Sequence, residues 1–315
     1  MPSENNIIVL HSAKMLFPHS VIKIDRLEEE LFVKKQVSLS VLRLDAIHAV
    51  ISGNKLFKLH YFLEIAQEQG NAGIITFGGA YSNHLVATAY ACKKSGIRSI
   101  GIVRGEKPMQ LSHTLINCMD YGMQLQFISR GEYRHKTTPG SVAGYEELFP
   151  GYLVVPEGGY HPRGASGAAL IMNYVPAEIS HIACAAGTAT TLSGLLMGAG
   201  RHQKIIGFPV LKGITDLSQR ISHLTGRVYS SEQLQVMDGY HFDGYAKKTP
   251  ELVNFMNRLY ETHRLPTDFI YTGKMMFGIY DCIRNDLFEK GSNILCLHTG
   301  GLQGNLSLAP GALVF

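Results

Sequence analysis

Short apolar runs rich in β-branched residues recur along this chain, and most lead into a glycine turn and then into apolar positions at helical spacing. The pattern predicts strands over 73–77, 99–103, 124–128 and 152–155, with helices over 83–95 and 113–121 among them. Further along it predicts strands over 179–185, 204–209 and 293–298. Helices are expected from beyond Gly187 through Gly198, over 251–261 and over 275–289. Residues 56–67 read as a helix behind the turn Ser52-Gly53-Asn54-Lys55. Two early strands are expected at 7–10 and 31–34, adding to a sheet edge, with a solvated acidic turn at 25–30. Strands alternating with helices imply an α/β fold with parallel sheets and right-handed crossovers. Ligands on such sheets bind beyond the carboxyl ends of the strands, where the glycine turns fall.

Composition narrows the class. With 315 residues, 45% hydrophobic and 17% charged, the chain can bury one large α/β core or two lobes. The net charge of +4 is scattered, with no basic stripe, so nucleic acid is not an expected partner. Five cysteines without a C-x-x-C pair or framework spacing read as free thiols in a reducing compartment. A signal peptide and a bilayer-spanning run are both missing from the pattern, so a cytoplasmic location is expected. The histidines are dispersed without ligand spacing, and no metal site is expected. Of these, His11, His19, His48 and His60 read as structural.

Four glycine-rich turns are candidates for chemistry. Lys55 opens a helix, where a cation is electrostatically misplaced. By itself it reads as an ordinary surface lysine; held near a phosphate or bonded to a carbonyl cofactor, it would be a nucleophile with a lowered pKa. Gly78-Gly79-Ala80-Tyr81-Ser82-Asn83-His84 is either a capped helix start or a cradle for a carboxylate. Gly187-Thr188-Ala189-Thr190-Thr191 follows a strand and opens a helix, which makes a seat for one phosphate. It has neither the Gly-Lys-Ser/Thr of a nucleotide loop nor the full dinucleotide pattern. His298-Thr299-Gly300-Gly301 ends the last strand, and Tyr271-Thr272-Gly273-Lys274 precedes a helix as a plain cap. Ser166, in Gly164-Ala165-Ser166-Gly167, does not sit in a hydrolase elbow.

Taken in order, these turns resemble the fold-type II enzymes that use pyridoxal 5'-phosphate (PLP), and within them the D-cysteine desulfhydrase and 1-aminocyclopropane-1-carboxylate (ACC) deaminase family. The resemblance runs from about residue 47 to 304 and rests on motif order. It implies a two-lobed, three-layer α/β/α fold like the tryptophan synthase β chain. The small lobe would span 54–157, inserted in a large PLP-binding unit of 1–53 and 158–315. It implies that Lys55 carries the cofactor and that Lys58 assists near its phosphate. Gly187, Thr188, Ala189, Thr190 and Thr191 would bind that phosphate. Asn83 would meet the ring hydroxyl and Thr299 the ring nitrogen. Ser82, Asn83 and His84 would receive the substrate, with Tyr245 and Tyr271 as the active-site tyrosines. A homodimer is implied too.

Within the family, ACC deaminases resemble Tyr-Glu-Gly-Lys and His-Leu-Gly-Gly at the last two motifs, and desulfhydrases resemble Tyr-Thr-Gly-Lys or Tyr-Ser-Gly-Lys and His-Thr-Gly-Gly. Thr272 and Thr299 place this chain on the desulfhydrase-like side. Phe57, Ala80 and Tyr81 depart from the residues common at their positions, and the segment beyond Asn305 lacks the usual Ala-Pro-Ala run. The expected reaction is α,β-elimination on a small amino acid, giving a keto acid, ammonia and sulfide. ACC deamination, another β-elimination or β-replacement, and a non-catalytic PLP- or phosphate-binding protein stay open as alternatives.

Overall fold

The computed structural model of the chain describes residues 22–48, 50–51 and 53–315. The expected strand at 7–10, His11, His19 and Ser52 lie outside them. In chain order the regular elements begin with β1 (Ile24–Leu27), α1 (Glu30–Lys35), β2 (Ser38–Leu42) and α2 (Lys55–Glu68). They continue with β3 (Gly73–Gly78), α3 (Asn83–Lys94), β4 (Arg98–Arg104), α4 (His113–Asp120), β5 (Met123–Ile128), α5 (Arg130–Arg134), α6 (Pro139–Leu148) and β6 (Tyr152–Val155). After these come α7 (Pro162–Ala169), β7 (His181–Ala186), α8 (Thr190–Gly198), β8 (Lys204–Pro209), α9 (Leu217–Thr225), β9 (Leu234–Val236), α10 (Pro250–His263), α11 (Thr272–Arg284) and β10 (Asn293–Leu297).

The strands form two sheets. Six run in the order β1-β2-β10-β7-β8-β9, parallel except for the antiparallel edge strand β1. Four run in the order β5-β4-β3-β6, all parallel. Alternation along the central strands builds a core on each face of the larger sheet. Ile294, Cys296, Ala183 and Ala185 meet α1, α10 and α11 on one side. Leu295, Leu297, Ile182 and Cys184 meet α8 and α9 on the other. The smaller sheet is covered likewise: Ile74 packs with α2 and α3, while Ile75 and Phe77 face α5 and α6. The architecture is thus layered α/β, with helices on both faces of each sheet, as expected.

One expected strand is a helix. Residues 31–34 belong to α1, in which Phe32 is buried and Val33 is 77% exposed. Glu30 in its first turn and Lys34 and Lys35 in its last complement the helix dipole. The run expected as an acidic turn instead contributes Asp25 to β1, where its carboxylate pairs with Arg43 at 2.6 Å. The helix expected over 275–289 starts at Thr272 and stops at Arg284.

The two sheets are tied together around α2 and α7. Gly164 and Gly167 of α7 lie where a β-carbon would stand 2.0 Å from the Gly159 carbonyl oxygen and 2.1 Å from that of Phe57. The small residues of Gly164-Ala165-Ser166-Gly167, which the sequence already sets apart from a hydrolase elbow, are a close helix-packing surface. They fix α2, and with it Lys55, against α7, which packs in turn on α8.

Candidate active site

The site lies where the carboxyl ends of β3, β6, β7 and β10 face the start of α2. Gly53 has φ +76°, and a β-carbon there would fall 1.9 Å from the Thr299 carbonyl oxygen. Only glycine allows α2 to begin in contact with the loop after β10. The Asn54 amide donates to the Thr299 carbonyl at 3.4 Å, and its side-chain NH2 donates to the Thr191 hydroxyl at 2.6 Å. The residue preceding Lys55 thus grips both the last strand's loop and the glycine–threonine turn.

Lys55 is half-buried, its amine 5.7 Å from the centre of the Tyr271 ring. Tyr271 in turn touches the phosphate-type turn, since a β-carbon on Gly187 would lie 3.2 Å from its ring edge. Lys58, one helical turn on, is buried and donates to the Gly158 carbonyl at 3.2 Å. Gly158 itself rests against the Thr188 side chain. Lys55, Lys58, Tyr271 and the 187–191 turn are therefore neighbours in one region of the structure. Burial lowers the Lys55 ammonium to about 8, with the Asp268 carboxylate pulling the other way. Burial and then the charge of Lys55 lower Lys58 to about 7.

Those shifts have a sign for stability. Each lysine has a folded pKa below its unfolded value, so the protonated form is penalised in the folded state. The penalty is present in full below the folded pKa and fades as pH rises through it toward the unfolded value. The cofactor-free protein should gain stability as pH rises through about 7 and about 8. The slope is at most about 1.4 kcal/mol per pH unit for each lysine. Urea midpoints across that window check this, and Lys58→Met should flatten the rise. A bound phosphate, which favours the charged amines, should flatten it too.

The 187–191 turn enters α8 through Ala189, a non-glycine residue at φ +69°, and no side chain caps the helix. Thr188 and Thr190 join hydroxyls at 2.9 Å, while Thr190 and Thr191 are buried. An uncapped helix start flanked by three hydroxyls and a buried lysine suits a phosphate dianion.

Across the cleft, the Ser82 hydroxyl accepts from the Leu85 amide at 3.3 Å and caps α3, so the first-turn amides of Asn83 and His84 open the helix. The Asn83 side-chain oxygen is buried without a partner. Its nitrogen lies 3.0 Å from where Gly301 would carry a β-carbon, so it reaches the loop after β10. The His84 ring lies beneath, buried, its Nε2 bonded to the Thr76 hydroxyl at 3.0 Å. Burial, reinforced by Lys58 and Lys55, pushes this imidazole down to about 3, so it is neutral.

Tyr245 and Tyr271 meet edge to face with ring centres 6.0 Å apart. Burial raises the Tyr271 phenol well above its ordinary value, and the Tyr245 phenol is raised in the same direction although the residue is 47% exposed, so each carries its proton at neutral pH. Thr299 is buried in the loop after β10.

Asp268 is a site residue that the sequence does not announce. Its carboxylate is fully buried and accepts from the amides of Ile270, Tyr271 and Thr272 at 2.8–3.0 Å and from the Thr272 hydroxyl at 2.6 Å. It sets the turn that aims Tyr271, and it is the carboxylate that opposes the lowering of the Lys55 pKa. An Asp four residues before a Thr at a helix entrance was the available signal. A separate apolar groove of about 570 Å³, lined by Tyr260, Leu302, Leu308 and Phe315 among others, contains none of these residues.

These groups fit PLP. A lysine amine of lowered pKa can take an aldehyde, an uncapped helix start with Lys58 can hold one phosphate, and the orphaned Asn83 oxygen offers an acceptor to a ring hydroxyl. Comparison with known proteins agrees. The family described as pyridoxal-phosphate dependent enzyme matches residues 17–300. A protein of Thermotoga maritima named putative 1-aminocyclopropane-1-carboxylate deaminase is 30% identical, over 92% of this chain and 95% of its own. A D-cysteine desulfhydrase of Klebsiella pneumoniae is 28% identical over 91% of each. The crystal structure of an ACC deaminase homologue superposes with a TM-score of 0.75 at 26% identity, covering 90% of both chains. Across nearly its whole length, then, this chain belongs to the pyridoxal-phosphate dependent enzymes, in the group that contains ACC deaminases and D-cysteine desulfhydrases.

Proposed function

We propose that the chain is a desulfhydrase-like lyase that converts D-cysteine or a close analogue to a keto acid, ammonia and sulfide. The observation that carries the reading is the Thr272 hydroxyl. It donates to Asp268 at 2.6 Å and accepts from the Asp268 amide at 2.9 Å. A glutamate there, as the resemblance gives for ACC deaminases, would set a second carboxylate against a buried one and lose both bonds. Thr299 points the same way by its motif.

When bound, PLP supplies an aldehyde for an amine and a conjugated ring that draws electrons from the substrate's α-carbon. Lys58, Gly187, Thr188, Ala189, Thr190 and Thr191 hold its phosphate, Asn83 its ring edge, and Thr299 the ring nitrogen. A threonine hydroxyl there does not stabilise a protonated ring as a carboxylate would, which suits elimination over transamination. The substrate carboxylate is received by Ser82 and the first amides of α3, those of Asn83 and His84. Lys55, with an ammonium near 8, has a neutral fraction at physiological pH and removes the α-proton. Tyr271 and Tyr245, both protonated, orient the leaving sulfur and donate to it.

Supplied with D-cysteine, L-cysteine and ACC in parallel, the loaded protein should release pyruvate and sulfide from D-cysteine at the highest rate and little keto acid from ACC. Fast keto acid release from ACC would move the assignment to deamination by ring opening. Full cofactor loading with no turnover of any amino acid would move it to a binding protein.

The proposal extends to organisation. An inserted lobe of 54–157 within a unit of 1–53 and 158–315 is supported by β3, β4, β5 and β6 pairing only among themselves. A cytoplasmic setting is supported by five free, buried cysteines. The family resemblance supports a homodimer, which light scattering checks.

A further inference from the structure

Tyr245 stands on a backbone that needs holding. Phe242, Asp243 and Ala246 all have positive φ, at +48°, +65° and +56°, and none is glycine. Such a run is unfavourable for L-residues and persists only where surrounding contacts over-determine it. One outer contact is a weak surface pair, Lys212 to Asp243 at 3.2 Å. Another is the Phe242 ring on Phe277, at 5.1 Å.

The inner contact is Lys274. Its side chain is 1% exposed, and its amine donates to the carbonyls of His241 and Gly244, each at 2.8 Å. Those two oxygens bracket Phe242 and Asp243, and Gly244 immediately precedes Tyr245. No carboxylate lies within ion-pair distance of that amine among the described residues. Lys274 also sits in the first turn of α11, where the helix dipole disfavours a cation. A buried cation at the wrong end of a helix is costly, and what offsets the cost is the two bonds it makes and the nearby charge of Asp268. Thr272 and Gly273, its neighbours, are held by Asp268, so one turn of α11 fixes Tyr271 through Asp268 and the 241–246 loop through Lys274.

We propose that Lys274 is a positioning residue that locks the 241–246 loop and so sets Tyr245 against Tyr271 at the mouth of the cleft. The inference rests on the assignment of Tyr245 to catalysis. An ammonium suits the task because its three donors can bond two carbonyls converging from different directions.

The test is a double-mutant cycle combined with amide hydrogen exchange on the full-length, cofactor-loaded protein. Lys274→Met should speed exchange across 241–246 by about tenfold or more while leaving β10 unchanged. Turnover should fall by about tenfold in the native background and by less than about twofold in a Tyr245→Phe background. The cofactor absorbance should stay as it is. If Lys274→Met does not fold, Lys274→Gln, which keeps amide donors on a shorter arm, is read in the same way. Unchanged loop exchange overturns the lock. An equal loss of turnover in both backgrounds shows that Lys274 does not act through Tyr245 and overturns it as well. Should Tyr245→Phe alone leave turnover intact, the catalytic role of Tyr245 fails, and with it the positioning role of Lys274; the exchange data then report only on the loop.

Discussion

Lys55→Ala should abolish the near-visible absorbance of the cofactor-loaded protein and reduce turnover by about a thousandfold. Two roles disappear together: the amine that bonds the cofactor and the base that takes the α-proton. Lys58 cannot replace it, because that amine is buried and turned toward the Gly158 carbonyl and the phosphate seat. Lys274 cannot either, with its amine committed to His241 and Gly244. The variant should still fold, since Lys55 is half-buried and its backbone continues a regular helix. Unfolding curves close to those of the parent, alongside a colourless protein, are the expected pair of results. A variant that keeps both the band and the turnover would mean that the amine lies elsewhere.

Gly53→Ala should have the largest effect on the fold. The new methyl would meet the Thr299 carbonyl, a backbone atom that cannot rotate away, at a φ of +76° that alanine disfavours. Strain and overpacking together should cost about 3 kcal/mol or more. The contact joins the start of α2 to the loop after β10, so relief requires the two to part. Parting would break the Asn54 amide bond to Thr299 and draw the Asn54 side chain from Thr191. Cofactor affinity should therefore fall together with the urea midpoint. A variant with native stability and native cofactor content would contradict the close approach.

Much of this was legible in the sequence because strand, turn and helix signals coincide. At residues 73–95 and 181–198, an apolar run, a glycine turn and a hydroxyl-bearing helix start all give the same element. Residues 31–34 were not legible because Phe32 and Val33 alone mimic a short strand. The helix stop there is Gln36 at φ +55°, without the glycine that normally marks one. The strand β9 offers too few residues for a period to show, whereas the alternation Ser38-Leu39-Ser40-Val41 of β2 is present in the sequence and absent from the expected elements.

The site divides along the same line. Lys55, Ser82, Asn83 and the 187–191 turn lie in glycine-marked motifs, and the start of α2 is tied to that turn through Asn54 and Tyr271. Asp268 and Lys274 act through bonds to backbone groups that no motif records. The Asn54–Thr191 bond spans 137 positions, a distance that local pattern cannot bridge.

Borohydride reduction of the cofactor-loaded protein, followed by peptide mapping, tests the central claim most directly, because it fixes the cofactor to whichever amine holds it. A phosphopyridoxyl group on the peptide containing Lys55, and on no other, is the predicted result. The same group on Lys58 or Lys274, or on no lysine of a fully loaded protein, would contradict it.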